Sequence, residues 1–177
     1  MSAAGASGGP DASIDRARTG DPEALASLYR AHGATLYRLA YRLTGTSQDA
    51  EDLVHDMFVG LPEALKRYEE RGSFTGWLKR VTARVALMKL RRGKRRREVA
   101  LEATLPALDP PPDPASMALR VAVDSLPALL RSVLVLKEIE GYSHAEVGEL
   151  LGISTGASRV RLNRAMRLLR KTLENGR

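Results

Sequence analysis

The chain has 177 residues, a formal net charge of +7 and a sequence pI of about 10.0. Its length suits one ordinary domain or two small ones, and its basic excess favours a polyanionic partner such as nucleic acid or an anionic membrane surface. The absence of cysteine excludes disulfides, thiolate zinc sites and cysteine nucleophiles, and suits a reducing cytosol. Because no run of about 18 apolar residues and no secretion signal are present, we expect a cytoplasmic protein without membrane insertion.

The beginning of the chain is predicted to form a tail and one long helix. Residues 1–20 are rich in Gly, Ala and Ser and are predicted to be a disordered tail. The helix then starts at Asp21, the expected N-cap, with Pro22 at its first position, and ends at Gly45. Gly33 is the point at which this helix could break.

The second predicted helix covers residues 47–65 and has two different faces. Its apolar stripe is predicted to be buried, and the acids of its first turn suit the positive end of the helix dipole. Pro62 follows Gly60, and because Pro removes a backbone hydrogen bond, we expect a kink or break between Phe58 and Pro62. The second stripe, acidic in an otherwise basic region, consists of Asp52, His55, Asp56, Val59 and Glu63. It is either a solvated face or a contact surface for a cationic partner.

A third helix is predicted from about Phe74 and ends in a strongly basic run. Residues 84–97 carry eight Arg or Lys and no acid. This run is either a solvated helix end with a nonspecific phosphate patch or, with aromatic residues beside it, a surface for a single nucleic-acid strand. Residues 21–97 form the predicted first domain, with a net charge of +7.

The next segment, residues 98–114, contains four acids, no base and five Pro. Pro at this density prevents helix formation and favours extended chain, so we predict a flexible acidic linker between two cationic domains. The alternative is a structured loop within one domain, although long irregular loops inside compact domains are uncommon.

The second predicted domain, residues 115–177, has a net charge of +4. It starts with a short helix at 117–123 and a longer one within 127–141. A short helix with a capping box follows Ser143, and a tight turn at Gly152 separates it from a long basic helix, an arrangement typical of a helix-turn-helix. The sequence therefore predicts an all-α fold of two small helical domains joined by an acidic Pro-rich linker.

The last helix has one face for packing and one for a ligand. At 100° per residue, its apolar face contains Ser158, Leu162, Ala165, Leu169 and Leu173. The opposite face contains Val160, Asn163, Arg164, Arg167 and Lys171, flanked by Arg159 and Arg170. A recognition helix in the major groove needs this set of side chains: Arg for phosphates and guanine, Asn for adenine and an apolar group for the thymine methyl. A solvated charged face usually mixes signs, whereas residues 159–171 include no acid.

Four segments carry a resemblance to a known family: "AEDLVHDMF", "GSFTGWLKRVTARVALMKLRR", "LPALLRSVLVLKEIEGYSHAEVGELLGIS" and "SRVRLNRAMRLLR". In this order they resemble the extracytoplasmic-function class of bacterial sigma factors, over nearly everything from Asp21 to Leu173. The resemblance implies a two-domain helical initiation factor that binds core RNA polymerase. The first domain would bind and help open the minus-ten element, partly as single-stranded DNA, and the second would read the minus-thirty-five element as duplex. An anti-sigma factor is a further partner that the resemblance implies.

The resemblance, together with the pattern of charges, assigns residues to three surfaces. The minus-thirty-five surface comprises Ser154, Thr155, Arg159, Val160, Arg161, Asn163, Arg164, Arg167 and Lys171. The minus-ten surface comprises Tyr68, Arg71, Gly72, Ser73, Phe74, Lys79, Arg80, Arg84, Arg91 and Arg92. The polymerase surface comprises Asp49, Asp52, His55, Asp56, Val59 and Glu63, and would grip a coiled coil of the largest polymerase subunit. Val85 and Met88 stand where the family often has Asn and Asp, so minus-ten readout is not transferred in detail.

Two other functions compete with this interpretation. A sigma-like domain pair could act as a decoy that sequesters an anti-sigma factor, but a decoy does not need the cationic face of the last helix. A plain helix-turn-helix regulator would leave the first domain without a role. Because no Walker-type loop, GxSxG or HExxH motif is present and the three His lie far apart, we expect no enzyme activity, no cofactor and no metal site.

Overall fold

The computed structural model describes residues 10–69, 72–93 and 114–175, which form nine α-helices and no strand. The helices are α1 (Pro10–Arg18), α2 (Pro22–Thr44), α3 (Ser47–Val59), α4 (Leu61–Leu65), α5 (Phe74–Gly93), α6 (Pro114–Asp124), α7 (Ala128–Leu134), α8 (His144–Leu151) and α9 (Thr155–Asn175). A π-helical turn, Val135–Ile139, extends α7. The predicted all-α fold is confirmed. None of the helices in the described ranges is long and apolar enough to cross a bilayer.

Helix α1 corrects the prediction of a disordered tail over residues 1–20. Ile14 and Ala17 are buried against the other helices, and the Arg18 Nε donates to the Leu65 carbonyl oxygen at 3.1 Å. The Gly- and Ser-rich composition predicted disorder over the whole segment. A helix forms nevertheless, because two apolar side chains one turn apart are enough to dock it on an existing core. Residues 1–9 lie outside the described part.

Helix α2 forms as predicted at its ends but does not break in the middle. The Asp21 carboxylate caps its N-terminus by accepting from the Glu23 and Ala24 backbone N–H groups. Gly33 continues the helix within its buried face, where the Tyr29 ring lies 3.5 Å from the position of a Cβ on Gly33. The predicted break is therefore wrong: a Cβ at Gly33 would make only ordinary van der Waals contact with the ring, and the helix continues through this residue.

The break between α3 and α4 occurs where Pro62 predicted it. Helix α3 ends at Val59, Gly60 caps it, and α4 restarts with Pro62 at its second position. The side chains predicted to be buried in this segment are buried apart from Phe58, which is half-buried. Helix α5 completes this first core with Leu78, Ala83, Ala86 and Leu87.

The second core is smaller and joins α6, α7 and α9 through Ala122, Leu126, Leu130, Leu134, Ala165 and Leu169. The predicted linker, apart from Pro114 at the start of α6, lies outside the described residues. The two helical groups nevertheless touch each other directly. Val133, Val135, Leu136 and Val147 of the second group are buried in the same cluster as the apolar side chains of α2, α3 and α5.

A buried arginine fixes this contact between the two groups. The Arg131 guanidinium, on α7, donates to the Leu43 and Thr44 carbonyl oxygens at the end of α2, at 3.2 and 2.7 Å. Gly45 follows at φ +88°, and a Cβ there would lie 2.6 Å from Arg131 Nη1. Glycine is therefore required at this position both for the left-handed backbone and for the approach of the guanidinium.

Candidate nucleic-acid interface

Helices α8 and α9 form a helix-turn-helix whose angle is set by close backbone packing. Ser143 and Glu146 make the predicted capping box at the start of α8, and Gly152 ends that helix at φ +60°. A Cβ on Gly148 would lie 2.8 Å from the Ile153 carbonyl oxygen. Because real Cβ contacts are never this short, only glycine lets the turn fold back on α8 in this way.

Two side-chain hydrogen bonds connect the turn to α9. The Ser154 Oγ accepts from the Ala157 backbone N–H at 3.1 Å, as expected for the N-cap of α9. The Ser158 Oγ and the His144 Nδ1 lie 2.9 Å apart and share a hydrogen bond between the two helices. His144 thus has a structural role in the motif.

The two faces of α9 are oriented as predicted. Ser158, Ala165 and Leu169 are buried, whereas the opposite face is exposed along its length. The exposed members of the predicted minus-thirty-five surface are Ser154, Thr155, Arg159, Val160, Asn163, Arg164, Arg167 and Lys171. Arg161 lies at the edge of this face and is half-buried. Val160 is 67% exposed, so it is an apolar group surrounded by hydrogen-bond donors and open to a ligand.

In the first domain, aromatic rings cluster at the loop before α5. The Tyr68 ring centroid lies 5.3 Å from that of Phe74 and 4.8 Å from that of Trp77. His32 of α2 packs edge-on against Phe74 at 5.5 Å, and burial lowers the pKa of its imidazole, which favours the neutral ring. Trp77 and His32 were not among the predicted site residues, although Trp77 falls one helical turn after Phe74.

The remaining residues of the predicted minus-ten surface are spread along α5 and the loop before it. Gly72, at φ +95°, and Ser73 are exposed, as are Arg80 and Arg84, whereas Lys79 is half-buried. Arg71 and the side chains of Arg91 and Arg92 lie outside the described part of the structure.

The cations of α5 nearest the aromatic cluster contact the second domain. The Lys79 Nζ lies 2.8 Å from Glu140 Oε2, and the Arg80 guanidinium pairs with the Glu146 carboxylate. Neither pair is predictable from the sequence, because the partners are more than sixty positions apart in the chain. Oppositely charged residues at such separations give no periodic signal.

The predicted polymerase surface is exposed along α3 and α4, and three of its acids have partners within the first domain. Asp49 accepts from the Thr46 hydroxyl at 2.8 Å, and Asp56 lies 2.6 Å from Lys89 Nζ. The Lys66 ammonium, 2.5 Å from Glu63, holds the pKa of that carboxyl below its usual value. Val59 is 69% exposed at the centre of this surface.

Beside these acids, an apolar cavity of about 420 Å³ opens between α2 and α3. Its lining residues are Leu25, Tyr29, Tyr37, Glu51, Val54, His55, Phe58 and Val59. The Tyr29 and Phe58 rings meet edge-on at 5.0 Å, and Tyr29 is 53% exposed. The predicted polymerase surface therefore joins acidic side chains to an apolar groove, which the sequence did not reveal because Tyr29 and Phe58 belong to different helices.

Within the described ranges, no group of three or more His, Asp or Glu side chains is placed to hold a metal ion. The arrangement as a whole offers two cationic helix faces, one aromatic cluster and one acidic surface with an apolar groove.

Known protein families match both halves of this arrangement. Sigma-70 region 2 matches residues 28–96, which include most of α2 and all of α3, α4 and α5, and Sigma-70 region 4 matches residues 116–169, which include α8 and most of α9. The chain is 40% identical over 167 residues to the ECF RNA polymerase sigma factor SigE of Mycolicibacterium smegmatis, covering 88% of this chain and 65% of that protein. It is 30% identical over 155 residues to the ECF RNA polymerase sigma factor SigM of Mycobacterium tuberculosis, covering 87% of this chain and 79% of that protein.

A solved structure has the same fold. The sigma factor RpoE from Bartonella quintana, crystallised with the anti-sigma factor NepR, superposes with a TM-score of 0.65 at 22% identity and covers 85% of this chain and 97% of its own. The helical pair of domains, the matched regions and the relatives lead to one conclusion. The chain belongs to the extracytoplasmic-function sigma factors of bacterial RNA polymerase.

Proposed function

We propose that this chain acts in the cytoplasm as an alternative sigma factor whose two domains read the two promoter elements in different physical forms of DNA. The observation that carries the proposal is the exposed face of α9, where cations, an amide and one apolar group lie opposite a sealed core. A decoy for an anti-sigma factor would not require this combination, and neither would a domain whose surface serves solubility alone.

The second domain would bind the minus-thirty-five element as duplex. Its helix-turn-helix would place the N-terminal half of α9 in the major groove, where Arg159 or Arg164 can donate to a guanine edge and Asn163 can pair with adenine. Lys171, near the far end of the helix, would contact phosphates. The contacts with base edges would select the DNA sequence, and the contacts with phosphates would supply affinity that depends on salt concentration.

The first domain would bind the minus-ten element as a single strand. Moving a base out of the duplex costs a few kcal/mol of stacking free energy. The protein surface that receives the base must therefore offer aromatic rings on which it can stack. Tyr68 and Phe74, with Trp77 behind them, supply such rings, and Lys79, Arg80 and Arg84 supply cations along the neighbouring helix. This aromatic and cationic pairing supports strand binding over a simple phosphate patch.

Core polymerase would be bound by the acidic surface on α3 and α4. Complementary charge steers association, whereas the apolar groove beside Val59 and Phe58 supplies area whose burial favours the complex. A cationic coiled coil with apolar side chains along one edge would match both features.

Exchange of the four acids in residues 98–114 for Lys would test whether the linker also contributes to initiation. We expect weaker initiation from a chain that lacks these acids.

An anti-sigma factor is the partner expected to control this chain, as NepR is the partner crystallised with RpoE of Bartonella quintana. An inhibitor gains most by covering both functional surfaces, namely the acidic surface and the exposed face of α9. Hydrogen exchange on such a complex should show added protection at residues 50–63 and 155–171. The absence of added protection at either range would contradict this binding mode.

The decisive experiment is transcription with core polymerase and this chain on genomic DNA of the host, followed by sequencing of the transcripts. We expect new start sites that share one minus-ten and one minus-thirty-five element. Transcripts identical with and without the chain, combined with tight binding to an anti-sigma factor, would support the decoy instead.

A further inference from the structure

The contact between the two domains contains a buried carboxylate that belongs to one domain and is neutralised by the other. The Glu140 side chain is 4% exposed, and its two oxygens accept from Arg42 Nη1 at 3.2 Å and from Lys79 Nζ at 2.8 Å. A carboxylate removed from water is stable only when cations or other donors replace its hydration. Two cations of the first domain therefore neutralise the Glu140 carboxylate and hold it in this position.

A second carboxylate lies on the same contact one helix further along. Glu146 pairs with the Arg80 guanidinium, which also lies 5.9 Å from the centroid of the Tyr142 ring. Glu146 simultaneously closes the capping box with Ser143, so its position on α8 is fixed independently of Arg80. The second domain thus presents two carboxylates, those of Glu140 and Glu146, to two successive cations of α5.

Lys79 and Arg80 are also the cations assigned to the minus-ten strand, on which this inference rests. Carboxylate and phosphate oxygens are both anionic acceptors for ammonium and guanidinium groups. We propose that Glu140 and Glu146 occupy Lys79 and Arg80 in place of strand phosphates, so that the free chain closes its minus-ten surface and leaves its minus-thirty-five surface open. The device lies in the chain itself and requires no inhibitor.

The exposure of the paired groups makes this closure reversible. The Arg42 and Arg80 side chains are 42% and 53% exposed, and ion pairs in contact with solvent contribute little net stability and weaken with salt. When the domains separate, Glu140 regains water and loses the need for a partner. The apolar side chains around Leu136 share the contact and favour closure, so separation of the domains must also expose them.

The exposed face of α9 provides an internal reference for a test. Its cations face solvent in the closed chain, so duplex binding by this face does not depend on domain separation. A change that frees Lys79 and Arg80 should therefore increase affinity for single strands and leave the affinity for duplex DNA at its previous value.

The experiment compares two double variants of the full free chain that have the same net charge. In Glu140→Gln/Glu146→Gln the two masking carboxylates become amides, and Gln can still close the capping box. In the control, Glu138→Gln/Glu149→Gln, both changed side chains are exposed in the same domain. The probes are a labelled oligothymidine of about twenty nucleotides, a length that exceeds one typical single-strand binding site, and a mixed-sequence duplex of similar length.

We expect the masking variant to bind oligothymidine about fivefold more tightly than the control, because a larger fraction of the chain is competent to bind. Duplex affinity should be equal in the two variants. Equal gains for both variants would reduce the effect to net charge and overturn the proposal, as would equal gains of the masking variant on both probes.

A second measurement does not depend on whether the glutamine variants fold. Because the chain has no cysteine, Ala34→Cys and Thr172→Cys, both at exposed positions on α2 and α9, are the sole sites for a pair of fluorescent dyes. The distance between the dyes should increase when oligothymidine binds, and an unchanged distance at saturation would overturn the proposal.

Transcription with core polymerase separates this proposal from the proposed function. If the wild-type chain initiates transcription but the masking variant shows no selective gain in affinity for oligothymidine, the proposed function stands and the proposed closure is wrong. If the masking variant shows this selective gain but the wild-type chain does not initiate transcription, the closure stands and the proposed function is wrong.

Discussion

The two cationic helices of this chain differ in what lies against their charges. On α9 the predicted DNA-contacting side chains face solvent along one side, and the opposite side is sealed into the smaller core. On α5 the cations Lys79 and Arg80 contact carboxylates of the other domain. Two surfaces with similar composition therefore have different availability in the same molecule.

This difference shows that charge on a helix face does not by itself define an accessible binding site. The cations of the α9 face are exposed, and the sequence from Arg159 to Lys171 contains no acid. The face of α5 is occupied because the fold brings Glu140 and Glu146 to it from more than sixty residues away. The following predictions test this contrast, from the largest expected effect to the smallest.

The largest effect is expected from a change in the apolar part of the contact between the domains. Leu136 is fully buried in the cluster that joins the second domain to α2 and α5. Leu136→Ala should lower the free energy of unfolding by about 2–5 kcal/mol, since it removes buried methyl groups and leaves a cavity. Urea unfolding of the full chain measures this change.

The matched control on the open face is Val160→Ala. Because Val160 is 67% exposed, its truncation should change the free energy of unfolding by no more than about 0.5 kcal/mol. A similar loss of stability from both substitutions would mean that this face of α9 is covered in solution and is not open.

The second prediction concerns the angle between α8, which takes part in the domain contact, and α9, which carries the open face. Gly148→Ala would put a Cβ 2.8 Å from the Ile153 carbonyl oxygen, so the turn must shift. We expect a loss of about 1–3 kcal/mol in unfolding free energy and weaker duplex binding at equal salt.

Gly156→Ala serves as the control for that change. The nearest atom to its Cβ would be the Ser154 Oγ at 3.9 Å, and the residue lies in the first turn of α9. Alanine should be neutral or stabilise by up to about 1 kcal/mol, because it restricts the unfolded chain. If Gly148→Ala were equally harmless, the turn would not depend on the close packing described here.

Much of this architecture could be predicted from the sequence because its signals are local. The Asp21 cap, the break at Pro62, the capping box at Ser143 and the two faces of α9 each depend on spacing within a few turns. The prediction that α9 belongs to a DNA-binding surface followed from the same periodicity and from the resemblance to sigma factors.

The remaining features depend on tertiary contacts that leave no periodic pattern. Helix α1 was missed because its stability comes from docking Ile14 and Ala17 on a core formed elsewhere in the chain. The Tyr29–Phe58 groove and the pairing of Glu140 with Lys79 join separate helices, so neither is visible in any short window of sequence. These contacts determine which of the predicted surfaces are open.

The third prediction tests whether the open face reads sequence. Val160→Ser should weaken binding of promoter DNA by about 1 kcal/mol at a single base pair, because an isopropyl group in the major groove packs on a thymine methyl. Lys171→Ala should instead weaken all sequences alike and lower the salt slope by about one unit. Binding of the full chain to a set of single-base variants of the minus-thirty-five element separates the two effects. Equal weakening of every variant by Val160→Ser, or none, would remove base readout at this residue.

The smallest effect is expected from Glu146, which links the capping box of α8 to the occupied face of α5. The hydrogen bond from the Ser143 backbone N–H, followed by the Ser143 hydroxyl and Arg80, holds the pKa of Glu146 below its usual value. A carboxyl with a lowered pKa in the folded chain stabilises it above the unfolded pKa, about 4.3 for Glu, and loses this contribution as the pH falls through the folded value.

The measurement is urea unfolding of the wild-type chain and Glu146→Gln between about pH 7 and pH 3. At pH 7 the wild type should be more stable by less than about 1 kcal/mol, because the Glu146 side chain is 37% exposed and solvent screens its interactions. The difference should shrink below about pH 4, where the wild-type carboxyl also becomes neutral. Glu149→Gln, exposed on the same helix, gives the background effect of removing one negative charge. A difference that stayed constant down to pH 3 would mean that the carboxylate charge does not contribute, and that Glu146 holds α8 and Arg80 through geometry that an amide reproduces.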